Sequence, residues 1–254
     1  MPRAPVVIDP ELGAITDDRL TRDVRVYQRA KGHRFSADDV ATAYVAHRAA
    51  PAASTVLDLG CGLGSVLLHL AWSMPTARLV GVEAQAISFS LLARNVERNG
   101  LADRVAIHHG DLRDEAVVAA LGTSFDLVTG TPPYFPPSAA LDAQDPQRAH
   151  ARIEYRGGVE AYVATAARVL ADRGAFVMCG DARAEPRVVA AAGEVGLTLC
   201  ARLAIVPREG RPPLFSVWTL RRGASDLEAG ELVLRDARGE RTADAERLRA
   251  FSGF

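Results

Sequence analysis

Lysine is almost missing from this chain: Lys31 stands alone among 30 basic residues, and the rest are arginines. Alongside abundant alanine, that preference fits a coding bias better than a recognition device, although each arginine keeps a planar fork suited to phosphate. Cysteine is scarce as well. Cys61, Cys179 and Cys200 are scattered, odd in number and without CxxC spacing, so neither a disulfide framework nor a cysteine zinc site is indicated. The adjacent His108 and His109 point to opposite faces of a strand, with no carboxylate at ligand spacing, and no metal is expected. No window approaches the roughly 18 uninterrupted apolar residues of a membrane span. The opening MPRAPVVIDPELG likewise lacks the apolar centre of a secretion signal. A soluble, cytoplasmic protein without a membrane partner is expected. Neither sign of charge dominates: the formal net charge is −1 and the pI about 6.6, so any basic face must be local.

What is present is a pattern of short apolar runs alternating with helical stretches, the mark of βαβ units around a parallel sheet. With 254 residues and 48% hydrophobic composition, one main α/β domain with small additions is expected. Strands are read at 55–59 (TVLDL), 78–83, 105–110, 125–130, 174–180, 197–206 and 214–220, and helices at 65–72, 86–99, 114–121, 159–171 and 186–195. The last two strands follow each other through PREGRPP without a helix, which implies an antiparallel pair closing the sheet. Residues 1–50 form an N-terminal cap, 51–222 the main domain and 223–254 a C-terminal appendage. The segment 136–152 reads as a mobile loop.

The first strand runs into VLDLGCGLGSVLLHLA, with Asp58, Gly60, Gly62 and Gly64 in the form DxGxGxG. Glycines there allow a sharp turn and close approach of a ligand to the backbone; alone, they also fit an ordinary strand-to-helix connection. A nicotinamide site would want the third glycine one position later. Glu83 closes the second strand, where a carboxylate can accept both hydroxyls of a ribose. Asp111 follows the third strand, placed to receive a hydrogen bond from an adenine amino group. Singly, each acid fits a solvated loop. Three acids ending three successive strands point to a nucleoside cradle.

The set DLGCGLG, GVEA and GDLRD resembles the class I S-adenosylmethionine-dependent methyltransferases over about residues 55–220. That resemblance implies a Rossmann-like, seven-stranded sheet, mostly parallel with an antiparallel C-terminal strand and helices on both faces. It implies S-adenosyl-L-methionine as cofactor, held by Asp58, Gly60, Cys61, Gly62, Gly64, Glu83, Asp111 and Leu112. It also gives TGTPPYFPP, behind the apolar FDLV, a meaning. In this superfamily (N/D)PP(Y/F) after the fourth strand marks enzymes that methylate a planar nitrogen, whose delocalised lone pair makes it a poor nucleophile. Thr131, Pro132, Pro133 and Tyr134 then form the catalytic loop: the stiff Pro132 carbonyl accepts an amino hydrogen and Tyr134 stacks on the base. Thr131 departs from the pattern. Its hydroxyl is shorter than the expected amide carbonyl and is itself a donor.

Upstream, VYQRAKGHRFSADDVATAYVA is similar to the QxxxGxRFSxD segment of the bacterial tRNA(Val) adenine-N6 methyltransferase family, at Gln28, Gly32, Arg34, Phe35, Ser36 and Asp38. The tail LVLRDARGERT resembles that family's ending. This implies an RNA substrate, tRNA, with Lys31, Arg34, Phe35 and Phe135 on its side of the site. Two basic groups are the candidate phosphate contacts: Arg22, Arg25, Arg29, Lys31 and Arg34, and Arg208, Arg211, Arg221 and Arg222. Alternatives remain open: a protein glutamine or small metabolite as acceptor, or a cofactor-retaining, RNA-binding protein without turnover.

Overall fold

The computed structural model describes residues 6–139, 145–223 and 226–254. In chain order the elements are β1 (Val6–Asp9), β2 (Gly13–Arg19), β3 (Arg25–Arg29), α1 (Ala37–Ala49), β4 (Thr55–Leu59), α2 (Ser65–Ser73), β5 (Arg78–Glu83), α3 (Ala86–Arg98), β6 (Val105–His109) and α4 (Glu115–Leu121). There follow β7 (Phe125–Gly130), α5 (Pro146–Arg152), α6 (Val159–Val169), β8 (Leu170–Gly180), α7 (Glu185–Glu194), β9 (Leu197–Val206), β10 (Phe215–Arg222), β11 (Glu228–Val233) and α8 (Ala243–Phe251).

One eight-stranded sheet runs in the order β11-β9-β10-β8-β7-β4-β5-β6. Strands β4, β5, β6, β7 and β8 pair in parallel, whereas β10 is antiparallel to both β8 and β9. The α/β sheet with its antiparallel finish therefore agrees with the expectation. Its inner strands are nearly continuous apolar runs because helices cover both faces. Val56 packs among residues of α1, α2 and α3, while Leu57 and Leu59 pack with α6 on the other side. The chain leaves β4 first toward β5 and β6, then returns to β7 on the opposite flank. Ligands bind beyond the carboxyl ends of strands at such a reversal.

The strand β11 overlaps the LVLR run picked out by the tail resemblance but begins earlier, at Glu228, and its place in the main sheet is not among the sequence expectations. It pairs in parallel with β9, from Glu228 beside Ala201 to Val233 beside Val206, so the 223–254 segment adds to the sheet. Only Leu232 is buried in EAGELV, and a polar edge strand with a central glycine carries little sequence signal. The helix expected over 159–171 stops at Val169 because the chain already enters β8 at Leu170. Part of the segment read as a mobile loop is helical: Asp145 caps α5 by accepting Arg148 N–H at 3.0 Å, with Pro146 in the first turn. Residues 140–144 of that stretch lie outside the described residues.

The N-terminal cap contains a second, antiparallel sheet, β1-β2-β3, also absent from the sequence reading. It is fastened to α3 through side-chain amides. Asn95 accepts Tyr27 N–H at 2.6 Å and donates to the Tyr27 and Leu63 carbonyls, while Asn99 accepts Arg25 N–H at 3.0 Å. At the far end Phe251 of α8 stacks on His69, and Ser252 Oγ lies 2.9 Å from His69 Nε2. No helix among the described residues is long and apolar enough to cross a membrane.

Candidate active site

The glycine turn sits where β4 ends. Gly60 and Gly62 have φ of +60° and +57°, a left-handed backbone that side-chain-bearing residues rarely adopt. A Cβ on Gly60 would overlap the Tyr162 hydroxyl, whereas one on Gly62 would meet nothing, because it faces a cavity. That turn and the ends of β5 and β6 are tied together. Cys61 N–H donates to the Val82 carbonyl at 3.0 Å, and Gly110 N–H donates to the Glu83 carbonyl at 3.0 Å.

Glu83 is buried, and its two oxygens accept Gly62 N–H at 2.8 Å and Gln85 N–H at 2.6 Å. Burial nevertheless raises its pKa, against those two bonds. Asp58 lies beneath the turn at 1% exposure, accepting the Thr129 hydroxyl at 2.7 Å through Oδ1. Its Oδ2 has no hydrogen-bond partner among the described residues. Burial, with the Glu83 charge adding, pushes its pKa up to about 7.

Gly60, Cys61, Gly62, Glu83, Asp111 and Leu112 line one cavity, with Phe35, Thr131 and Pro133 on its wall. Gly64 lies behind it, as the left-handed N-cap of α2. The carboxylate of Asp111 is engaged by Arg113, whose Nε and Nη2 donate at 2.9 and 2.8 Å, so a ligand's amino group must share it. That guanidinium holds the Asp111 pKa below the usual carboxylate range. Cys61 is buried and its thiol pKa is pushed well up by that burial, in keeping with a packing residue.

A second cavity lies on the other side of the loop after β7. Lys31, Arg34, Ser36, Asp38, Pro132, Tyr134, Phe135, Arg148 and Arg152 line it. The two cavities share His33, Asp39, Thr131 and Ala151. Thr131–Tyr134 is thus a partition with one space on each side. It is held rigidly: the Tyr134 hydroxyl lies 3.2 Å from Asp38 Oδ2 and 3.3 Å from Cys179 Sγ. Next to it Phe135 exchanges backbone hydrogen bonds with Arg152 and Glu154 at 3.0 and 2.9 Å, and the Arg152 guanidinium lies 5.7 Å from the Phe135 ring centre.

Several residues of the first cavity escaped the sequence reading. Tyr162 of α6 supports the turn, and α5 forms a roof that brings in Gln147, His150 and Ala151, with Arg156 beyond it. Gln147 is 1% exposed; its amide accepts His33 N–H at 3.3 Å and donates to Ser88 Oγ at 3.3 Å. Asp145 adds an ion pair to Arg29 at 2.8 Å. Apart from Asp145, which starts α5 as an Asp-Pro N-cap, none of these has a local signature, because each acts across a long separation in sequence. Asp39 had one: it adjoins the matched Asp38.

The basic residues are arranged differently from the expectation. Arg22, Arg25, Arg29 and Arg34 pair with Asp23, Asp17, Asp145 and Asp18, and Arg34 also donates to Thr16 Oγ1 at 2.9 Å. Arg221 and Arg222 are spent on backbone carbonyls, as is Arg208. Lys31, Arg148 and Arg152 surround the second cavity without an ion pair among the described residues.

The residues of the first cavity fit S-adenosylmethionine. Buried Glu83 and half-buried Asp111 on its wall suit the polar nucleoside part of such a ligand, and the open face of Gly62 admits close backbone approach; Asp58, with its orphaned Oδ2, lies beneath the turn and outside the cavity lining. Residues 56–153 match the methyltransferase domain family. The chain is 29% identical over 165 residues to a tRNA1(Val) (adenine(37)-N6)-methyltransferase of Porphyromonas gingivalis, a match spanning 64% of each chain. It is 30% identical over 190 residues to the enzyme of that description from Yersinia pestis, covering 74% of each. A crystal structure of a predicted O-methyltransferase from Agrobacterium tumefaciens shares the fold at a TM-score of 0.65 and 20% identity, over 85% of this chain and 96% of that one. Sheet order and cavity together define a class I S-adenosylmethionine-dependent methyltransferase. Within that class, the chain belongs to the family of the tRNA1(Val) (adenine(37)-N6)-methyltransferases.

Proposed function

We propose that this protein transfers the methyl group of S-adenosylmethionine to the exocyclic N6 amino group of an adenine in RNA, with tRNA as the substrate. The observation that carries the reading is the partition: Thr131, Pro132, Pro133 and Tyr134 separate a nucleoside-type cavity from a basic-rimmed one. The curated relatives are named for adenine-N6 methylation of tRNA1(Val), and that supports this acceptor over a protein glutamine or a metabolite.

Glu83 and Asp111 would hold the ribose and adenine of the cofactor, with Leu112 against the base. Asp58, under the Gly60–Gly64 turn, would face its amino-acid end. When bound, the cofactor supplies an electrophilic methyl on a sulfonium. On the acceptor side the Tyr134 ring offers a stacking face, its hydroxyl end anchored near Asp38 and Cys179. The Pro132 carbonyl accepts one amino hydrogen from a backbone too stiff to retreat, which favours a pyramidal nitrogen with its lone pair directed at the methyl. Lys31, Arg148 and Arg152 would meet backbone phosphates around the flipped base.

The test is incubation with methyl-labelled S-adenosylmethionine and, in parallel, total tRNA and a total protein extract. Label in tRNA alone is the expected result. Label in protein alone overturns the acceptor assignment, and tight cofactor binding with label in neither overturns turnover.

A further inference from the structure

The wall between the cavities contains a carboxylate to which the mechanism above gives no task. Asp39, 7% exposed, is the third residue of α1 and borders both cavities, as Thr131 does. Its Oδ2 accepts Ser36 N–H at 2.8 Å, and the Ser65 hydroxyl of α2 lies against the carboxylate. Its neighbour Asp38 is otherwise committed, accepting the Tyr134 hydroxyl and Ser36 Oγ. The amino group placed here has two hydrogens and must lose one. Pro132 accommodates the first. Thr131 offers only a short hydroxyl for the second.

Resting on the methyl-transfer reading, we propose that Asp39 is a catalytic residue: its carboxylate accepts the second amino hydrogen beside Thr131 and takes that proton as the nitrogen is methylated. The nitrogen lone pair forms the bond to the methyl carbon as the carbon–sulfur bond breaks, its electrons passing to sulfur. The positively charged nitrogen then gives one proton to Asp39. A neutral thioether and a methylated amine leave, and the carboxylic acid returns its proton to solvent through the second cavity.

The electrostatic setting suits a group that both gains and loses a proton. Burial, followed by the charge of Asp38 on the same helix and of Asp58 from β4, raises the Asp39 pKa to about 7. His33 lies in the segment before α1, its own pKa lowered by burial, and Arg148 and Arg152 face the same cavity from α5. Ser65 adds only a neutral hydroxyl.

The experiment is single-turnover methylation of total tRNA from about pH 6 to about pH 8, with S-adenosylhomocysteine affinity measured by calorimetry on the same variants. Asp39→Ala is expected to lose about 10²-fold in rate while keeping affinity within about threefold. Asp39→Asn keeps an acceptor but no proton sink, so it retains more rate than Asp39→Ala and loses the wild-type rise with pH. Adding Thr131→Asn to Asp39→Ala restores an acceptor and at least about tenfold of the rate. Wild-type rate and pH profile in Asp39→Ala would overturn the proposal. So would a loss of affinity that matches the loss of rate, which makes Asp39 a cofactor-holding residue. Wild-type protein that binds S-adenosylhomocysteine and modifies no RNA overturns the functional reading, and this role with it.

Discussion

Asp58→Asn removes a buried charge while keeping an oxygen to accept the Thr129 hydroxyl, 2.7 Å away in the native protein. Asp58 is 1% exposed, and burial raises its pKa from 3.8 to about 7. A carboxyl whose folded pKa is raised holds a proton that the unfolded chain has already released. Stability therefore falls as pH rises from the unfolded value through the folded one, then levels off. Over the whole window this costs the apoprotein about 4 kcal/mol, at roughly 1.4 kcal/mol for each of about three units. Between about pH 6 and pH 8, centred on the folded pKa, the share is about a third of that. His69 works in the opposite direction, since burial lowers its pKa to about 4 and only the unfolded chain gains a proton near neutrality. The difference between wild type and Asp58→Asn cancels that contribution. Thermal melts of the apoprotein should show the variant gaining about 3 to 5 °C on wild type from about pH 6 to about pH 8. A pH-independent difference would refute a raised pKa for this buried carboxylate.

Further expected outcomes follow from the site. Tyr134→Ala should lower methyl transfer by more than about tenfold, in line with the ~1 to 3 kcal/mol of a stacked base. Tyr134→Phe, which loses only the bonds to Asp38 and Cys179, should retain most activity; single-turnover rates decide both. Gly60→Ala pushes a methyl into the Tyr162 hydroxyl and strains a residue at φ +60°, so calorimetry with S-adenosylhomocysteine should record no binding. Replacing Arg148 and Arg152 by alanine should weaken tRNA binding and reduce the slope of log affinity against log salt by about 1 for each phosphate no longer neutralised. An unchanged slope would remove them from the RNA face.

The parallel core was legible because βαβ units write their period directly into the chain: TVLDL, RLVGVE and FDLVTG are strands at the residues read. So was the glycine turn, whose φ values only glycine takes readily. Edge structure was not legible. The strand β11 is mostly exposed, and the β1-β2-β3 sheet buries only single apolar residues such as Ile15 and Val26, too few to set a hydrophobic period, with Asn95 and Asn99 adding polar ties. The roof over the first cavity has a local helix signal, Asp145-Pro146 ahead of QRAHAR, but it is short and set in a loop-like stretch, and only the contacts of Asp145 and Gln147 reveal its fastening. The charge pairing was not legible: the arginines expected to meet phosphates include Arg25, Arg29 and Arg34, whose partners Asp17, Asp145 and Asp18 are not neighbours in sequence.

The central claim is that a proline-stiffened loop presents a flat amino nitrogen to the sulfonium donor. It is tested most directly by locating the methyl group within the nucleoside. After reaction with methyl-deuterated S-adenosylmethionine and total tRNA, fragmentation of the digested nucleosides should place the deuterated methyl on adenine N6. Label on a ring nitrogen, a base carbon or a ribose oxygen would contradict the account.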